Sequence, residues 1–342
     1  MATKFHIAKR LIDLGWQELP HENGALFKDA NLELNDEISK HLEYKHLLAQ
    51  IVQQNCKDIM PLTYYVNDQN YNEVLAKIIF ENYMVNNRYE KNIENLKWIL
   101  KPSMLNNGDN ICLFNNVEEL KKHFAKTDRL GGDHVIQQYI PNPDLVDGRK
   151  YTFRVSGVIT NYAGVYLYKQ GYINISAFPF NLSDGFHNRK VHITNYVLDG
   201  EFANIEQRST QLIENFDKIY GQMCDIVKRV LTGLLKTFPA YLKPQALKKF
   251  EIFGFDFMLD NTGKLWLIEI NQAPDAPTFE ENKLDDILWK PFWQDIIDEF
   301  VIPIALGDKA PRNYAHYQRI LSANECYSWF REIFYNLKNR IK

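Results

Sequence analysis

Apolar residues recur every three or four positions in several stretches of the chain, which is the spacing of one face of an α-helix. Shorter runs of this kind predict helices at residues 1–16, 41–56, 70–85 and 117–126, and through the tail at 282–342. Ser322 and Glu325 have the S-x-x-E spacing of a capping box, which predicts the start of the last helix. The clearest helical run covers residues 205–238, with apolar positions at Leu212, Ile213, Phe216, Ile219, Met223, Ile226, Val227, Val230, Leu231 and Leu234.

Short runs of β-branched and aromatic residues lie between these helices and predict strands. They occupy residues 60–68, 96–102, 110–114, 134–140, 150–160 and 163–176. These strands follow one another in runs and do not alternate strictly with helices. The pattern therefore favours an α+β fold with a largely antiparallel sheet.

The stretch FGFDFMLDNTGKLWLIEINQAP, residues 253–274, predicts a β-hairpin with the turn DNTG, and we expect Leu259 to pair with Lys264 across it. Because side chains alternate between the two faces of a strand, one face should carry Asp256, Glu269 and Asn271. Asp256 and Glu269 would then be diagonal neighbours. Leu265 and Leu267 should share that face, and the core face should hold Phe253, Phe255, Phe257, Leu259, Trp266, Ile268 and Ile270.

The two carboxylates of this hairpin need a positive partner, because burying either charge alone is costly. Proteins hold Mg²⁺ with oxygen ligands, usually one or two carboxylates together with substrate phosphates. Asp256, Glu269 and the amide oxygen of Asn271 are therefore candidate ligands of Mg²⁺. The alternative is that both carboxylates lie at a rim, in salt bridges with lysines.

Composition excludes several classes of protein. The 342 residues, 45% hydrophobic and 24% charged, are ordinary for a soluble globular protein and suffice for two or three domains or for one elaborate domain. A net charge of −3 argues against a general nucleic-acid binder. The cysteines, Cys56, Cys112, Cys224 and Cys326, form no CxxC pair, which fits reduced thiols in the cytosol. No apolar run reaches the roughly 18 residues of a membrane span, and the start lacks an apolar signal core. We therefore expect a cytoplasmic protein that binds neither nucleic acid nor membrane.

Several cationic side chains could accompany such a metal at a phosphate site. Lys101 ends an apolar strand, and Gly108 follows in the next loop. Lys150, Thr152 and Arg154 share one face of a strand, and two cations on one face favour an anion; the alternative is an exposed edge strand blunted by charge. The sequence has neither the GxxxxGK[ST] nor the GxGxxG fingerprint, so a site built from a sheet and lysines is the remaining route.

These motifs, in this order, resemble those of the ATP-grasp enzymes, and most closely the tubulin–tyrosine ligase family. The strongest match is FEIFGFDFMLDNTGKLWLIEINQAP; VHITNY at 191–196, VIQQYI, GRKYTFR, VYLYKQG and WILKPS match weaker motifs in the expected order. The resemblance implies an ATP-grasp architecture in which the nucleotide is held between antiparallel sheets with flanking helices. It also implies an N-terminal domain at 1–70, a central subdomain at 71–140, a C-terminal subdomain with the Mg-ATP site at 141–305 and a helical tail at 306–342.

The resemblance also implies roles for individual residues. Lys101 and Lys150 would bind the phosphates of ATP, Arg154 would steady the γ-phosphate or an acyl phosphate, and Lys150 and Arg154 would be the catalytic residues. Lys45 would be a phosphate-facing lysine of the N-terminal domain, and Asp256, Glu269 and Asn271 would carry Mg²⁺. The nucleotide would further contact Gln137, Gln138, Tyr139, Ile140, His192, Thr194, Asn195, Asp256 and Met258. For His192 the alternative is a satisfied histidine at a strand end.

The implied activity is that of an ATP-dependent ligase, which adds an amino acid of the tyrosine or glutamate type to a protein carboxylate through an acyl phosphate. The partners would be a free amino acid and an acidic tail, tubulin being the leading candidate, held by Arg189, Lys190 and Lys169 unless these are only solvated loop charges. A monomer is expected. Asn174 and Thr152 stand where the family has arginine and aspartate. Two alternatives therefore stay open: a ligase for another peptide or small molecule, and a catalytically weak nucleotide-binding regulator.

Overall fold

The computed structural model describes residues 2–327 except 89–95, 106–107, 184–185, 195–196, 199–200, 203–204, 275, 277–281 and 309–314. The helices and strands occur in the order α1 (Ala2–Asp13), α2 (Asp36–Glu43), α3 (Lys45–Asn55), β1 (Thr63–Val66), α4 (Tyr71–Arg88), β2 (Trp98–Pro102), β3 (Cys112–Phe114), α5 (Val117–Phe124), β4 (His134–Gln138), β5 (Leu145–Val146), β6 (Arg149–Thr160), β7 (Gly164–Ile175), α6 (Arg189–His192), β8 (Val197–Leu198), β9 (Glu201–Phe202), β10 (Glu206–Ser209), α7 (Phe216–Thr237), β11 (Phe250–Leu259), β12 (Leu265–Gln272), α8 (Lys290–Ile296), α9 (Ile302–Ala305) and β13 (Tyr317–Ser322). Among these helices, none combines the length and the apolar character that crossing a bilayer requires.

Two antiparallel sheets organise these elements. The smaller sheet has the strand order β1-β4-β2-β3, and the larger has the order β10-β7-β6-β11-β12, with β13 added to β7 and β5 to β6. All of these strand pairs are antiparallel. The prediction of an α+β fold with largely antiparallel sheets is therefore confirmed.

The back face of the larger sheet carries the main core. Alternate residues of the central strand β6, Tyr151, Phe153 and Val155, belong to an apolar cluster with α3 and α7. Helix α7 contributes one buried stripe, which includes Met223 and Val230. Since side chains alternate between faces, the intervening residues of β6 point to the front of the sheet.

The front face of the larger sheet has two parts, which face different elements. The helical segment that contains α8 and α9 packs on one part of it and forms a second apolar cluster with residues of β7 and β11, among them Tyr168, Phe250 and Phe300. The other part of the front face looks toward the smaller sheet. A space is therefore left between the two sheets, and the candidate site lies there.

Three expectations about helices need correction. The helix predicted at 41–56 is two helices separated at Tyr44, whose backbone is extended (φ −73°, ψ 119°). The helix predicted at 205–238 begins only at Phe216, after strand β10, and Leu212 is 72% exposed. The tail predicted to be helical contributes the strand β13 to the larger sheet. The capping box itself is confirmed: the backbone amide of Ser322 donates to Glu325, and the amide of Glu325 donates to the hydroxyl of Ser322.

Candidate functional site

A cavity of about 1030 Å³ lies between the front faces of the two sheets. Ile99 and Lys101 of β2 and Gln137 of β4 line it on the side of the smaller sheet, and Lys150 and Arg154 of β6 line it on the side of the larger one. The volume is at the upper end of the range of about 300–1,000 Å³ that is usual for ligand sites. The space is thus large enough for more than one small substrate.

The predicted site residues meet at this cavity. Asn195 lies outside the described residues. The residues that line the cavity are Lys45, Lys101, Gln137, Gln138, Tyr139, Ile140, Lys150, Arg154, His192, Thr194, Asp256, Met258, Glu269 and Asn271. What each of them does to a ligand stays a prediction.

The register of the hairpin β11–β12 differs from the expected one. Leu259 pairs with Leu265, not with Lys264, and the register shifts by one residue between Asp256 and Phe257. This shift is a β-bulge, which adds one unpaired residue to one strand. As a result Asp256 lies directly opposite Glu269, where side chains are about 4.5–5.5 Å apart at Cβ, and not diagonal to it.

The bulge also exchanges residues between the two faces of β12. Ile268, which we expected in the core, lines the cavity next to Glu269. Leu265 and Leu267, expected on the polar face, belong to the core cluster. Two consecutive residues therefore reach the cavity, and this is how the carboxylate of Glu269 arrives opposite Asp256.

Both carboxylates of the site have a cationic partner. Arg154 donates to both oxygens of Asp256 through Nε and Nη2, the latter at 2.6 Å. Nζ of Lys45 lies 3.5 Å from Oε2 of Glu269, and these side chains are 9% and 19% exposed. The salt-bridge alternative is therefore right that both carboxylates are paired, but only Glu269 pairs with a lysine, and both pairs lie inside the cavity and not at an exposed rim.

Gly254 makes room for the arginine. A Cβ atom at this position would lie 2.9 Å from Cδ of Arg154 and 3.0 Å from Cβ of Pro274. Contacts this short force a neighbour to move. Glycine at 254 therefore allows Arg154 to extend along the sheet to Asp256.

The cavity holds more positive than negative charge. Lys45, Lys101, Lys150 and Arg154 line it, and the first three are at most 9% exposed. Asp256 and Glu269 supply two negative charges, so these four cations exceed them by two; Lys283 and Glu206 also line the cavity and add one charge of each sign. Since isolated buried charges are costly, this surplus favours a polyanionic ligand.

Burial shifts the pKa values of the two lysines that lack a carboxylate partner. It lowers the pKa of Lys101 to about 8, although Glu269 opposes the change. It lowers the pKa of Lys150 to about 7, and the nearby charge of Lys101 adds to the effect. Without an anion, both lysines are thus partly neutral near pH 8.

The two carboxyls respond differently to the same surroundings. Burial raises the pKa of Asp256 to about 6 against the opposing effect of Arg154. Burial would also raise the pKa of Glu269, but Lys45, Lys101 and Arg154 outweigh it and hold that pKa at about 2. Both groups are therefore mostly ionised at neutral pH.

We expect anion binding to take up protons, because a polyphosphate beside Lys101 and Lys150 favours their charged forms and raises both pKa values. At pH 8 binding of a polyphosphate should take up roughly one proton, and the affinity should fall as pH rises from 7 to 9. Uptake should shrink toward pH 6, where both lysines are already charged. Calorimetric titrations in buffers of different ionisation enthalpy measure directly the number of protons taken up on binding. A binding enthalpy that is the same in all buffers at pH 8 contradicts this expectation, and Lys150→Met serves as the variant with reduced uptake.

A chain of hydrogen bonds fixes the histidine of the site. Nζ of Lys150 donates to the hydroxyl of Tyr139 at 3.1 Å and to the carbonyl of His192 at 3.0 Å. The hydroxyl of Tyr139 lies 2.8 Å from Nδ1 of His192. When Lys150 is charged its ammonium only donates, so in that state the proton of the hydroxyl points to Nδ1 and the ring proton belongs on Nε2. Burial, with a further effect of Lys150, lowers the pKa of His192 to about 3, so the ring is neutral.

Nε2 of His192 is buried and has no hydrogen-bond partner in the described part of the chain. The ring packs against Phe186 with centroids 5.0 Å apart. The alternative, a histidine whose hydrogen bonds are all made within the protein, therefore holds for Nδ1 but not for Nε2. An N–H donor remains next to the cavity for an acceptor on a ligand.

The backbone of the predicted adenine hinge is largely engaged. The amide of Gln138 donates to the carbonyl of Leu62, and the amide of Tyr139 donates to that of Lys97. The amide of Ile140 has no hydrogen-bond partner among the described residues. A purine edge at this position would therefore meet the amide of Ile140 and not those of its two neighbours.

Two further predictions concern charged residues: the edge-strand alternative for β6, and the cations that would hold an acidic tail. Strand β6 pairs with β7, β11 and β5, and β5 covers the end that carries Lys150, so the edge-strand alternative for Lys150 and Arg154 is wrong. Of the cations expected to hold an acidic tail, Arg189 donates to the carbonyl of Gly108, and Lys169 donates to that of Ala315 at 2.9 Å. Lys190 is exposed.

Other lining residues were missed from the sequence. Tyr172 on β7 and Gln207 on β10 line the cavity, as do Lys283 and Trp289 near the start of α8. Tyr172 could have been found, because it lies two residues before Asn174 on the same strand and therefore shares its face. Nothing in the local sequence links Trp289 to the site, since its place depends on how the helical segment packs.

Comparison with known proteins gives concordant matches. The family model described as the tubulin-tyrosine ligase family matches residues 33–309. A probable tubulin polyglutamylase of Homo sapiens is 26% identical over 276 residues, which is 76% of this chain and 42% of that protein. A tubulin glycylase of Tetrahymena thermophila is 27% identical over 192 residues, 52% of this chain and 16% of that protein. A probable tubulin–tyrosine ligase of Schizosaccharomyces pombe is 27% identical over 277 residues, 70% of this chain and 68% of that protein. The chain thus spans less than half the length of the first two relatives.

Proposed function

The chain belongs to the tubulin–tyrosine ligase family, and on this premise we propose that it is an ATP-dependent carboxylate–amine ligase. It would add an amino acid to a carboxylate of a protein or peptide. The observation that carries this proposal is the surplus of buried cations next to two opposed carboxylates, in a cavity between two antiparallel sheets. A polyphosphate with a divalent cation matches that distribution of charge.

ATP would lie along strand β6. Lys150 and Arg154 are four residues apart on this strand, so their Cα atoms are about 13 Å apart. The base would lie at the end with Tyr139 and His192, and the γ-phosphate at the end with Arg154. Lys101 and Lys150 would then hold phosphates between these ends.

The residues present fit a magnesium ion. Asp256 and Glu269 face each other directly, Asn271 donates to Glu269 at 3.4 Å, and its amide oxygen remains a possible ligand. Among the described residues no cluster of three or more His, Cys, Asp or Glu side chains could hold a metal ion. The ion would thus rely on phosphates and water for its other positions, as Mg²⁺ commonly does. When bound, it supplies charge neutralisation and orientation for phosphoryl transfer.

The reaction itself would proceed in two transfers. The acceptor carboxylate attacks the γ-phosphorus, the bond to the β-phosphate oxygen breaks, and ADP leaves. The amine of the amino acid then attacks the acyl carbon, inorganic phosphate leaves with the C–O electron pair, and the amine loses a proton to water. Lys101, Lys150 and Arg154 would stabilise charge during the first transfer, where catalysis is mostly positioning and electrostatics.

ADP release tests this proposal. Purified protein is incubated with Mg-ATP, each of the twenty amino acids in turn, and either tubulin or no acceptor. A ligase should release ADP only when an amino acid and an acceptor are both present. ATP that binds tightly but is not turned over in any combination favours the nucleotide-binding regulator and contradicts the ligase.

An acidic protein tail is the acceptor class that we propose. The names of the relatives support tubulin, and Lys190 is an exposed cation two residues before His192, which lines the cavity. Attraction between exposed charges is screened over about 8 Å at physiological salt. Modification of an acidic peptide should therefore fall steeply with added salt, and fall several-fold in Lys190→Ala at low salt.

The matched control for this prediction is Lys122→Ala, which removes an exposed lysine from α5, away from the cavity. Rates with a series of peptides of decreasing negative charge measure the effect. The double variant Arg189→Ala, Lys190→Ala should lose more, but Arg189 also holds the loop at Gly108. Wild-type rates in Lys190→Ala at low salt would show that this lysine does not hold the tail.

A further inference from the structure

The cavity continues beyond the pair formed by Arg154 and Asp256. In the register of the sheet, Tyr172 on β7 lies opposite Arg154, and Asn174 lies opposite Thr152. Strand β7 is on the other side of β6 from β11, which carries Asp256. This flank is therefore separate from the part of the cavity assigned to ATP and its metal, yet it adjoins Arg154.

The wall of this flank is aromatic and apolar. The rings of Tyr172 and Trp289 meet edge to face with centroids 5.5 Å apart. Ala276 and Leu284 complete the wall, and all four residues are less than 8% exposed. They belong to the second apolar cluster, so the wall is packed against the core beneath the helical segment. Nε1 of Trp289 is buried and has no hydrogen-bond partner in the described residues.

The polar groups of the flank offer little positive charge. Asn174 accepts a hydrogen bond from Gln207 at 2.9 Å, and this pair is uncharged. Arg154 is committed to Asp256, and Glu206 to Arg149 at 2.6 Å. Lys283 is exposed at the rim and has no ion pair with another described residue.

We propose that this flank binds the amine substrate and selects an amino acid with an uncharged apolar or aromatic side chain. The inference rests on the proposed ligase function and names its co-substrate. Any amino acid brings an α-carboxylate, which Lys283 can neutralise at the rim. Glutamate brings a second carboxylate, and against this wall that charge would be buried without a partner, which is costly. An apolar side chain against Tyr172 and Trp289 instead gains from the area it removes from water.

Equilibrium binding of free amino acids tests the proposal. The protein is saturated with Mg²⁺ and a non-hydrolysable ATP analogue, and L-tyrosine, L-phenylalanine, L-leucine, glycine and L-glutamate are titrated by calorimetry. At least one of the apolar or aromatic amino acids should bind about tenfold or more tightly than glutamate. Trp289→Ala should reduce this preference, whereas Trp289→Phe, which keeps a ring against Tyr172, should retain it.

Two further variants test the effect of charge in the flank separately from the effect of its shape. Asn174→Arg adds a cation to the flank and should shift the preference toward glutamate by about tenfold. Lys283→Ala should weaken all five amino acids by a similar factor, because each has one α-carboxylate. If Trp289→Ala does not fold, the test is the ratio of the affinities for glutamate and for the apolar amino acids in Asn174→Arg. A ratio equal to that of the wild type overturns the proposal.

The results that would overturn the apolar flank differ from those that would overturn the ligase function. Glutamate binding as well as or better than the others, or supporting the fastest ADP release, overturns the apolar flank and leaves the ligase standing. Absence of binding by every amino acid overturns the flank as an amine site. The ligase itself falls only if no amino acid supports ADP release with tubulin or an acidic peptide.

Discussion

Glu269→Gln should lower Mg-ATP turnover by about a hundredfold to a thousandfold, the usual effect of losing one preorganised electrostatic group. The substitution keeps the shape of the side chain but removes one of the two carboxylates proposed to hold magnesium. It also leaves Lys45 without its partner, so the surplus of positive charge in the cavity grows. Turnover is measured as ADP release at saturating Mg²⁺.

Measurements of ATP binding with and without Mg²⁺ show whether the loss of turnover comes from the metal site. In the absence of Mg²⁺, Glu269→Gln should bind ATP as tightly as the wild type or more tightly, because more positive charge faces the phosphates. The usual gain in affinity on adding Mg²⁺ should be lost. Glu73→Gln is the matched control, since it separates an exposed glutamate from Lys77 on α4 without touching the cavity. Wild-type turnover in Glu269→Gln, with an unchanged midpoint of thermal unfolding, would remove Glu269 from the metal site.

Lys101→Ala and Lys150→Ala should each weaken ATP binding by about 1.5–3 kcal/mol, the scale of a hydrogen bond to a charged group. This corresponds to a loss of roughly tenfold to more than a hundredfold in affinity. Each lysine is buried and lacks a carboxylate partner of its own, so removing it should not destabilise the fold through a broken ion pair. Calorimetry gives the dissociation constants.

The two lysine variants should differ in one respect. Lys150→Ala also frees Tyr139 and His192 from their hydrogen-bond chain, so the ring proton of His192 should redistribute between its two nitrogens. Nitrogen chemical shifts of the imidazole report this directly, and Lys101→Ala should leave them unchanged. Lys190→Ala serves as the exposed control. Unchanged affinity for ATP in both buried-lysine variants would move the phosphate site elsewhere.

Much of the site could be predicted because it lies on regular strands. Lys150 and Arg154 share a face through simple alternation, and the structure places both at the cavity. The hairpin β11–β12 was recognisable from its turn residues. Its register was not, because a bulge is decided by how the sheet curves and packs, and alternation alone would keep Ile268 in the core.

The errors in helix prediction have a common physical cause. Residues 205–215 continue the helical spacing of α7, but Ser209 of β10 pairs with Tyr172 of β7, and this long-range pairing overrides the local pattern. Strand β13 was missed for the same reason, since its partner β7 is far away in sequence. The break at Tyr44 had no signal of glycine or proline, and the residue after it, Lys45, reaches Glu269 only because of that break.

The wall formed by Leu284 and Trp289 has a consequence for how this protein could change over evolutionary time. These side chains close one end of the cavity and at the same time fill the second apolar core. Truncating such residues to alanine typically costs about 2–5 kcal/mol, out of a total stability of only about 5–15 kcal/mol. Mutations that enlarge the flank for a new amine would therefore bring the fold close to its stability threshold. Divergence of substrate preference should accordingly require earlier stabilising substitutions elsewhere, or proceed through rim positions such as Asn174 and Lys283, which are not part of that core.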